Sequence, residues 1–483
     1  MFPNINALIG QALQNFQARN FEEAKKKLTY VLNVQPKNLA ALEILGIICS
    51  NSGNLKQAVK HFEKIIKIKP DYHLAWSNRG NALLELKQYD QALASYDKAI
   101  SLKPDYHSAW YNRGNALKEL KQYDQALASY DKAISLKPDY HIAWSNRGNA
   151  LLELKQYDQA LASYDKAISL KPDYFDAYFN KSPAQLLTSD FQGGWTNYEY
   201  RWLRKEADKK HHQQFPSLTS LNDLKSSTVL VWWEQGFGDT IQFSRYLTLL
   251  ANLGANVVFD VQAPLKSLLK QSFPGIRVIT RDEAVSGIDF QVPLMSLPGL
   301  FSTDLSNLPS SNCYLKPFPD NLDRWRVKLN LNRDKLNIGI ACSGSEAHKN
   351  DKYRSMALSY FEPLSNLANL FLIQKDLRDS DKYFLSQHPE IKFLGDQIST
   401  FEDSASIVEL MDLIITVDTS LIHLSGALGK TSKVLVTWNP EWRWLLDRQD
   451  SPWYPSVKIF RQPEAGDWES VIQDVISDLK LVA

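Results

Sequence analysis

DYHLAWSNRGNALLELKQYDQALASYDKAISLKP, residues 71–104, is followed by two near-identical copies, and prolines fall at 36, 70, 104, 138 and 172, always 34 residues apart. Each unit reads as two amphipathic helices. A fixed period of this length with paired helical patterns predicts a solenoid of stacked helical hairpins. Gly80, Ala92 and Ala99 are small and let helices approach closely, Trp76 and Tyr96 fill the space between them, and Pro104 ends the second helix. The units at 5–36 and 39–70 are divergent versions of the same pattern. A degenerate sixth unit runs from Phe175 to about Arg204; it keeps Tyr178, Asn180 and Tyr198 but carries Pro183 inside its first helix. It reads as a cap joining the solenoid to the next domain.

The pattern resembles the tetratricopeptide repeat, with Trp76, Gly80, Ala92, Tyr96, Ala99 and Pro104 at the family's characteristic positions. The three central copies vary only at Leu74/Ser108/Ile142, Ser77/Tyr111/Ser145 and Leu84/Lys118/Leu152. At about 100° per residue these fall within roughly 80° of one another on the first helix, on a different side from Trp76 and Leu83. That side is expected to line the concave groove. Asn78, Asn112, Asn146 and Asn180 recur beside it, next to Asn81, Asn115 and Asn149. An amide both donates and accepts, so such a ladder can hold an extended peptide, or it can tie adjacent repeats together. A similar ladder is familiar in the repeat arrays of O-GlcNAc transferases, and that resemblance implies a protein or peptide partner.

The whole chain, at 483 residues, predicts about three domains. Lys+Arg number 55 and Asp+Glu 54, so there is no broad basic field and nucleic acid is not an expected partner. Cys49, Cys313 and Cys342 are scattered, with no disulfide framework or zinc spacing. Neither a signal peptide nor a membrane span is expected, and the cytoplasm is the expected compartment.

Beyond about residue 225 the 34-residue period is lost. Runs at 228–233, 256–261, 277–280, 290–294, 337–342, 369–374, 391–395, 412–417, 433–438 and 457–461 read as strands, with helical patterns between many of them. This predicts two doubly wound parallel sheets in tandem, with ligands at the carboxyl ends of the strands. The expected layout is repeats over 1–174, a cap and linker over 175–220, and α/β domains over 221–320 and 321–483.

WWEQGFGDTIQF, 232–243, suggests a phosphate loop, but Ile241 stands where a dinucleotide fingerprint needs its third glycine, and no lysine of a P-loop follows. GALGKTS, 426–432, runs from helix into strand, the wrong polarity for one. The strand–glycine turn–Asp239–helix arrangement instead resembles the heptosyltransferase-type glycosyltransferases, whose two-lobed GT-B fold the resemblance implies. It further implies that Asp239 is the general base toward an acceptor hydroxyl, with Gly236 and Gly238 turning the backbone and leaving room for a sugar. The plainer reading of Asp239 is a helix cap. DLIITVDTSLIHLSGALGK, 412–430, is similar to the family segment that holds the donor's diphosphate: Asp418, Thr419, Ser420 and His423 sit at a helix start, where free N–H groups favour an anion. Lys352 or Arg354, with Lys349 weaker, and Lys375 are the candidate cations facing that diphosphate. Trp442, Trp444, Trp453 and Tyr454 either stack on the donor or pack the domains together, with Arg443 and Arg448 available to anions.

Asp379 and Asp381 read as acids opening a helix rather than as metal ligands. The resemblance thus implies an inverting, metal-independent transferase with a nucleotide sugar as co-substrate and no further cofactor. Two rivals stand beside it: a non-catalytic repeat scaffold whose α/β part is inactive or senses a nucleotide sugar, and a metal-dependent transferase using Asp379 and Asp381.

Overall fold

Every proline-bounded unit delivers a helix pair: Ile5–Gln17 with Phe21–Val34, Leu39–Asn51 with Leu55–Ile68, His73–Glu85 with Tyr89–Leu102, His107–Glu119 with Tyr123–Leu136, and His141–Glu153 with Tyr157–Leu170. The computed structural model describes residues 4–207, 210–222, 224–309, 313–332, 334–346 and 350–482. The chain forms two compact units, Met1–Lys181 and Ser182–Ala483. The division falls inside the helix Phe175–Leu187, which continues through Pro183. The second half of the degenerate sixth unit therefore belongs with the α/β part.

Within the first unit, glycine is required where the two helices of a pair meet. A Cβ on Gly80 would lie 2.6 Å from the Tyr96 ring, and Gly114 under Tyr130 and Gly148 under Tyr164 repeat the geometry. The same phenols set the polar order. Tyr96 donates to Asn81 Oδ1 at 2.9 Å, Tyr130 to Asn115 Oδ1 at 2.8 Å and Tyr164 to Asn149 Oδ1 at 2.7 Å. The amide of the following repeat then closes on the same oxygen, Asn112 onto Asn81 at 2.9 Å and Asn146 onto Asn115 at 3.0 Å. Asn112 and Asn146 thus tie neighbouring repeats together, each through an amide N–H. Asn78 differs, because the equivalent position thirty-one residues earlier is Ile47, which has no acceptor side chain. Asn180 is half-buried on the first helix of the degenerate unit.

Arginines make a second clamp that the sequence pattern did not disclose. Arg113 donates to Asp97 Oδ1 at 2.6 Å and to Ser129 Oγ at 2.7 Å, so one side chain joins three helices; Arg147 repeats this with Asp131 and Ser163. The expectation that the varied positions line an open groove is corrected. Ser77 and Ser145 are buried, and Tyr111 packs on Tyr130 and Tyr140 while its hydroxyl accepts from Asn146. Leu84 and Leu152 pack against the repeat cores. Much of the variation therefore tunes packing between repeats.

The second unit contains the ten expected strands: β1 Thr228–Trp232, β2 Asn256–Val261, β3 Arg277–Thr280, β4 Phe290–Pro293, β5 Leu336–Ala341, β6 Ala368–Leu372, β7 Ile391–Phe393, β8 Leu413–Val417, β9 Ser432–Val436 and β10 Val457–Arg461. They form a four-stranded sheet in the order β3-β2-β1-β4 and a six-stranded sheet in the order β10-β9-β8-β5-β6-β7. All pairs are parallel. Renumbered within itself, the larger sheet has the doubly wound 3-2-1-4-5-6 order, and the smaller has its first four strands. In such sheets the order reverses beside the first strand, and the crevice for a ligand opens there. The switch points are β1/β4 and β5/β8. Trp195, from the degenerate unit, donates to Thr303 O at 2.8 Å and meets Trp442 edge-on, binding that helix into the α/β core. No helix among the described residues is long and apolar enough to cross a membrane.

Removing the shared acceptor should cost more than removing an unpaired copy of the same residue. Asn115→Ala strands the Tyr130 hydroxyl and leaves the Asn146 amide only its bond to Tyr111, and is expected to destabilise by about 1–3 kcal/mol in urea denaturation. Asn78→Ala is expected to stay within about 0.5 kcal/mol of wild type.

Candidate functional site

The loop after β1 is fixed from the side of the degenerate repeat. Glu234 is buried against Arg201, which donates from Nε at 2.7 Å and from Nη2 at 3.0 Å, and Met295 N–H donates to the same carboxylate at 3.0 Å. Gln235 donates to the Tyr198 hydroxyl. The chain then enters the helix Phe237–Phe243, and Gly236 N–H donates to Asp239 Oδ2 at 2.9 Å. Asp239 therefore caps its own helix, whatever else it does.

The loop after β8 meets this helix start directly. Thr419 caps the helix Ser420–Ala427, its Oγ1 accepting from Leu421 N–H at 3.4 Å. A Cβ on Gly238 would lie 2.7 Å from His423 Cδ2 and 3.6 Å from Ser420 Cα. Gly238 is thus needed for two helices to touch, and the room expected for a sugar at that atom is taken by the His423 ring. Arg354 Nη1 donates to Asp418 O at 3.0 Å, which brings Arg354 to the Ser420 helix start. Lys352 is exposed, its ammonium over the Tyr353 ring.

Between the two helix starts lies Arg443. It pairs with Asp239 through Nη2 and with Glu441 through Nη1, and Nε donates to Gln242 Oε1 at 2.5 Å. The guanidinium is 10% exposed and Asp239 20%. Burial opposes its charge, but Glu441 and Asp239 more than offset this and hold it protonated. Burial pushes the Glu441 carboxyl up to about 7 against the pull of Arg443, and it also raises Asp418. His423 goes the other way: burial, then the charges of Arg443, Arg245 and Arg354, push it well below its ordinary value. It is a neutral ring that meets the Tyr454 hydroxyl at 3.1 Å and stacks on Trp444, and it supplies no cation to a diphosphate.

Other expected residues lie elsewhere or serve other ends. Lys375 lines an open depression with Asp376, Lys382 and Asp396; β5 stands between its strand, β6, and β8. Lys349 lies outside the described residues. Trp442, Trp444, Trp453 and Tyr454 are buried, so their faces pack the two sheets together and are not presented to a donor. Arg448 pairs with Asp450. Asp379 pairs with Lys382 within the helix it opens, while buried Asp381 accepts from Leu358 N–H at 3.0 Å and ties that helix to a neighbouring segment.

Glu441 and Gln242 escaped the sequence reading. Gln242 stands three residues after Asp239, on the same helical face, which was the signal available. It is fully buried, its Nε2 has no partner among the described residues, and neither has the buried Nε of Arg354. Both orphans are donors. Buried polar groups are ordinarily satisfied, so a set of open donors beside a guanidinium suits an acceptor-rich ligand.

Profiles described as "TPR repeat" and "Tetratricopeptide repeat" match residues 10–73, 61–94, 80–121, 107–140 and 141–174. Residues 10–174 are tetratricopeptide repeats. The chain is 24% identical over 315 residues to Protein FlbA of Caulobacter vibrioides, covering 59% of this chain and 52% of FlbA. That share exceeds Met1–Lys181, so the similarity reaches into the second unit. A TPR repeat-containing protein of Rhizobium etli is 33% identical over 60 residues, 12% of this chain and 29% of that one. The chain thus spans about half the length of the first relative and under a third of the second. Among solved structures, MamA of Desulfovibrio magneticus RS-1 is 23% identical with a TM-score of 0.34, covering 36% of this chain and 97% of its own. YrrB, described as a TPR protein with an unusual peptide-binding site, is 18% identical with a TM-score of 0.31, covering 36% and 89%.

The raised carboxyl of Glu441 has a signed consequence. Folded, it keeps its proton up to about pH 7; unfolded, it releases it near 4.5. Its contribution to stability is full below the lower value and is lost as pH rises through the upper one. Glu441→Gln should therefore match wild type near pH 4.5 and gain stability over it above pH 7, measured by denaturant unfolding across that range.

Proposed function

We propose that the second unit is a glycosyltransferase of the GT-B kind, moving a sugar from a nucleotide-diphosphate donor to an acceptor hydroxyl without a metal, and that the repeats bind the protein or peptide it acts upon. One observation carries the reading. Asp239 after β1, Arg354 after β5 and the Asp418–Ser420 turn after β8 converge at the carboxyl ends of their strands, with a buried donor left without a partner among the described residues on Gln242, which holds Arg443, and on Arg354, which holds Asp418 O.

On this reading the diphosphate sits at the start of the Ser420 helix, facing backbone N–H groups, with Arg354 and Arg443 offsetting the charge that builds as it departs. Asp239 takes the proton of the acceptor hydroxyl as that oxygen attacks the anomeric carbon. A base on the face opposite the leaving diphosphate inverts that carbon. The repeats supply what stacked helical hairpins commonly supply, an extended surface for a partner chain.

A second reading has its own support. Both Asp239 oxygens are engaged, one by Gly236 N–H and one by Arg443, so neither is presented free to an acceptor hydroxyl. In that case the protein is a scaffold whose α/β unit binds a nucleotide sugar without turning it over. Two measurements separate the readings. Thermal shift across nucleotide sugars should find one that stabilises the chain, by about 2.7 kcal/mol at a hundredfold over its dissociation constant. Turnover of that compound should then fall about 10²- to 10⁴-fold in Asp239→Ala. Binding with no turnover in wild type supports the scaffold.

A further inference from the structure

We infer that Arg443 controls when Asp239 is available: its guanidinium is committed to Asp239 and Glu441 in the free protein, and a diphosphate seated at the Ser420 helix start draws it away, freeing the acid. This deepens the reading of the site as phosphate-binding and rests on it. The two ends of the guanidinium are unequally held. Nε is anchored on Gln242 Oε1, while Nη1 and Nη2 face the carboxylates of Glu441 and Asp239. The guanidinium moves as one rigid plane, so a pivot on its Nε bond carries both outer nitrogens together.

What it would re-aim toward is marked by donors that now have no acceptor. Gln242 is fully buried, its Oε1 holds Arg443, and its Nε2 is open; Arg354, bonded to Asp418 O through Nη1, has its buried Nε open. Asp418 feels the charges of both Arg443 and Arg354, so a phosphate at the Ser420 helix start lies close to two guanidiniums. A diphosphate also brings more charge than one carboxylate and takes two parallel N–H bonds from a guanidinium. After the exchange Asp239 keeps its Gly236 N–H bond on Oδ2, and Oδ1 is open. The acid then becomes a base only with the diphosphate in place, which orders donor before acceptor.

Inorganic pyrophosphate binding to the full chain, by titration calorimetry, tests this in a double-mutant cycle. Asp239→Asn removes the competitor for Arg443 and is expected to tighten pyrophosphate about tenfold, within the range for groups in direct contact. In an Arg443→Gln background the same substitution should change affinity by less than about twofold. Glu441→Gln, with and without Arg443→Gln, gives an independent second cycle with the same expectation should Asp239→Asn not fold. Equal tightening in both backgrounds would mean general charge removal, overturning the exchange while leaving the phosphate site standing. Absence of binding in every variant, wild type included, would overturn the phosphate site itself and the exchange with it.

Discussion

A single guanidinium, buried between two parallel sheets, sets the geometry of the α/β unit's polar centre. Arg443 follows β9 of the larger sheet, and the carboxylate it holds, Asp239, follows β1 of the smaller one. Buried charges are tolerated only with partners, and removing one partner leaves the other exposed to the full cost of desolvation. The pair therefore fixes the distance between two loops that nothing in the chain's local preferences would bring together. Gly238 makes the contact possible, because any side chain there would collide with His423. Arg201 does the same from the other flank by holding Glu234, five residues before Asp239.

The parts legible in the sequence were those with a period. A 34-residue proline spacing gave every helix pair, and apolar runs gave every strand of both sheets within a residue or two at most ends. The motif positions also lay where doubly wound topology demands, at the carboxyl ends of β1, β5 and β8. What escaped was pairing between distant segments. Lys352 and Arg354 look interchangeable in sequence, yet only one turn of backbone decides that Arg354 reaches Asp418 while Lys352 lies over its neighbour Tyr353. The aromatic run from Trp442 to Tyr454 looked equally suited to stacking and to packing, and only burial tells the two apart. Ser77, Tyr111 and Ser145 misled for a related reason: variation was read as exposure, although residues packed between helices also vary, as Tyr111 does against Tyr130 and Tyr140.

Both units solve the same problem, how to bury polar side chains at a joint between elements, and they solve it with different chemistry. In the solenoid the shared-amide joint is neutral. Each shared amide oxygen takes a phenol from its own repeat and an amide from the next, while Arg113 and Arg147 add a separate charged clamp between the same repeats. Such bonds have short reach and little to gain from an arriving ion, and the joint recurs between the three central copies.

In the α/β unit the joint is ionic and incomplete. Arg443 serves two carboxylates, Asp418 stands close by with its carboxyl raised by burial, and Gln242 and Arg354 keep donors in reserve. A low-dielectric site of this kind responds strongly to a new charge, because each existing pair is a competitor that the newcomer can displace. The neutral joint suits a surface that must keep its shape while a partner lies along it. The ionic one suits a place where something charged arrives, is held, and leaves.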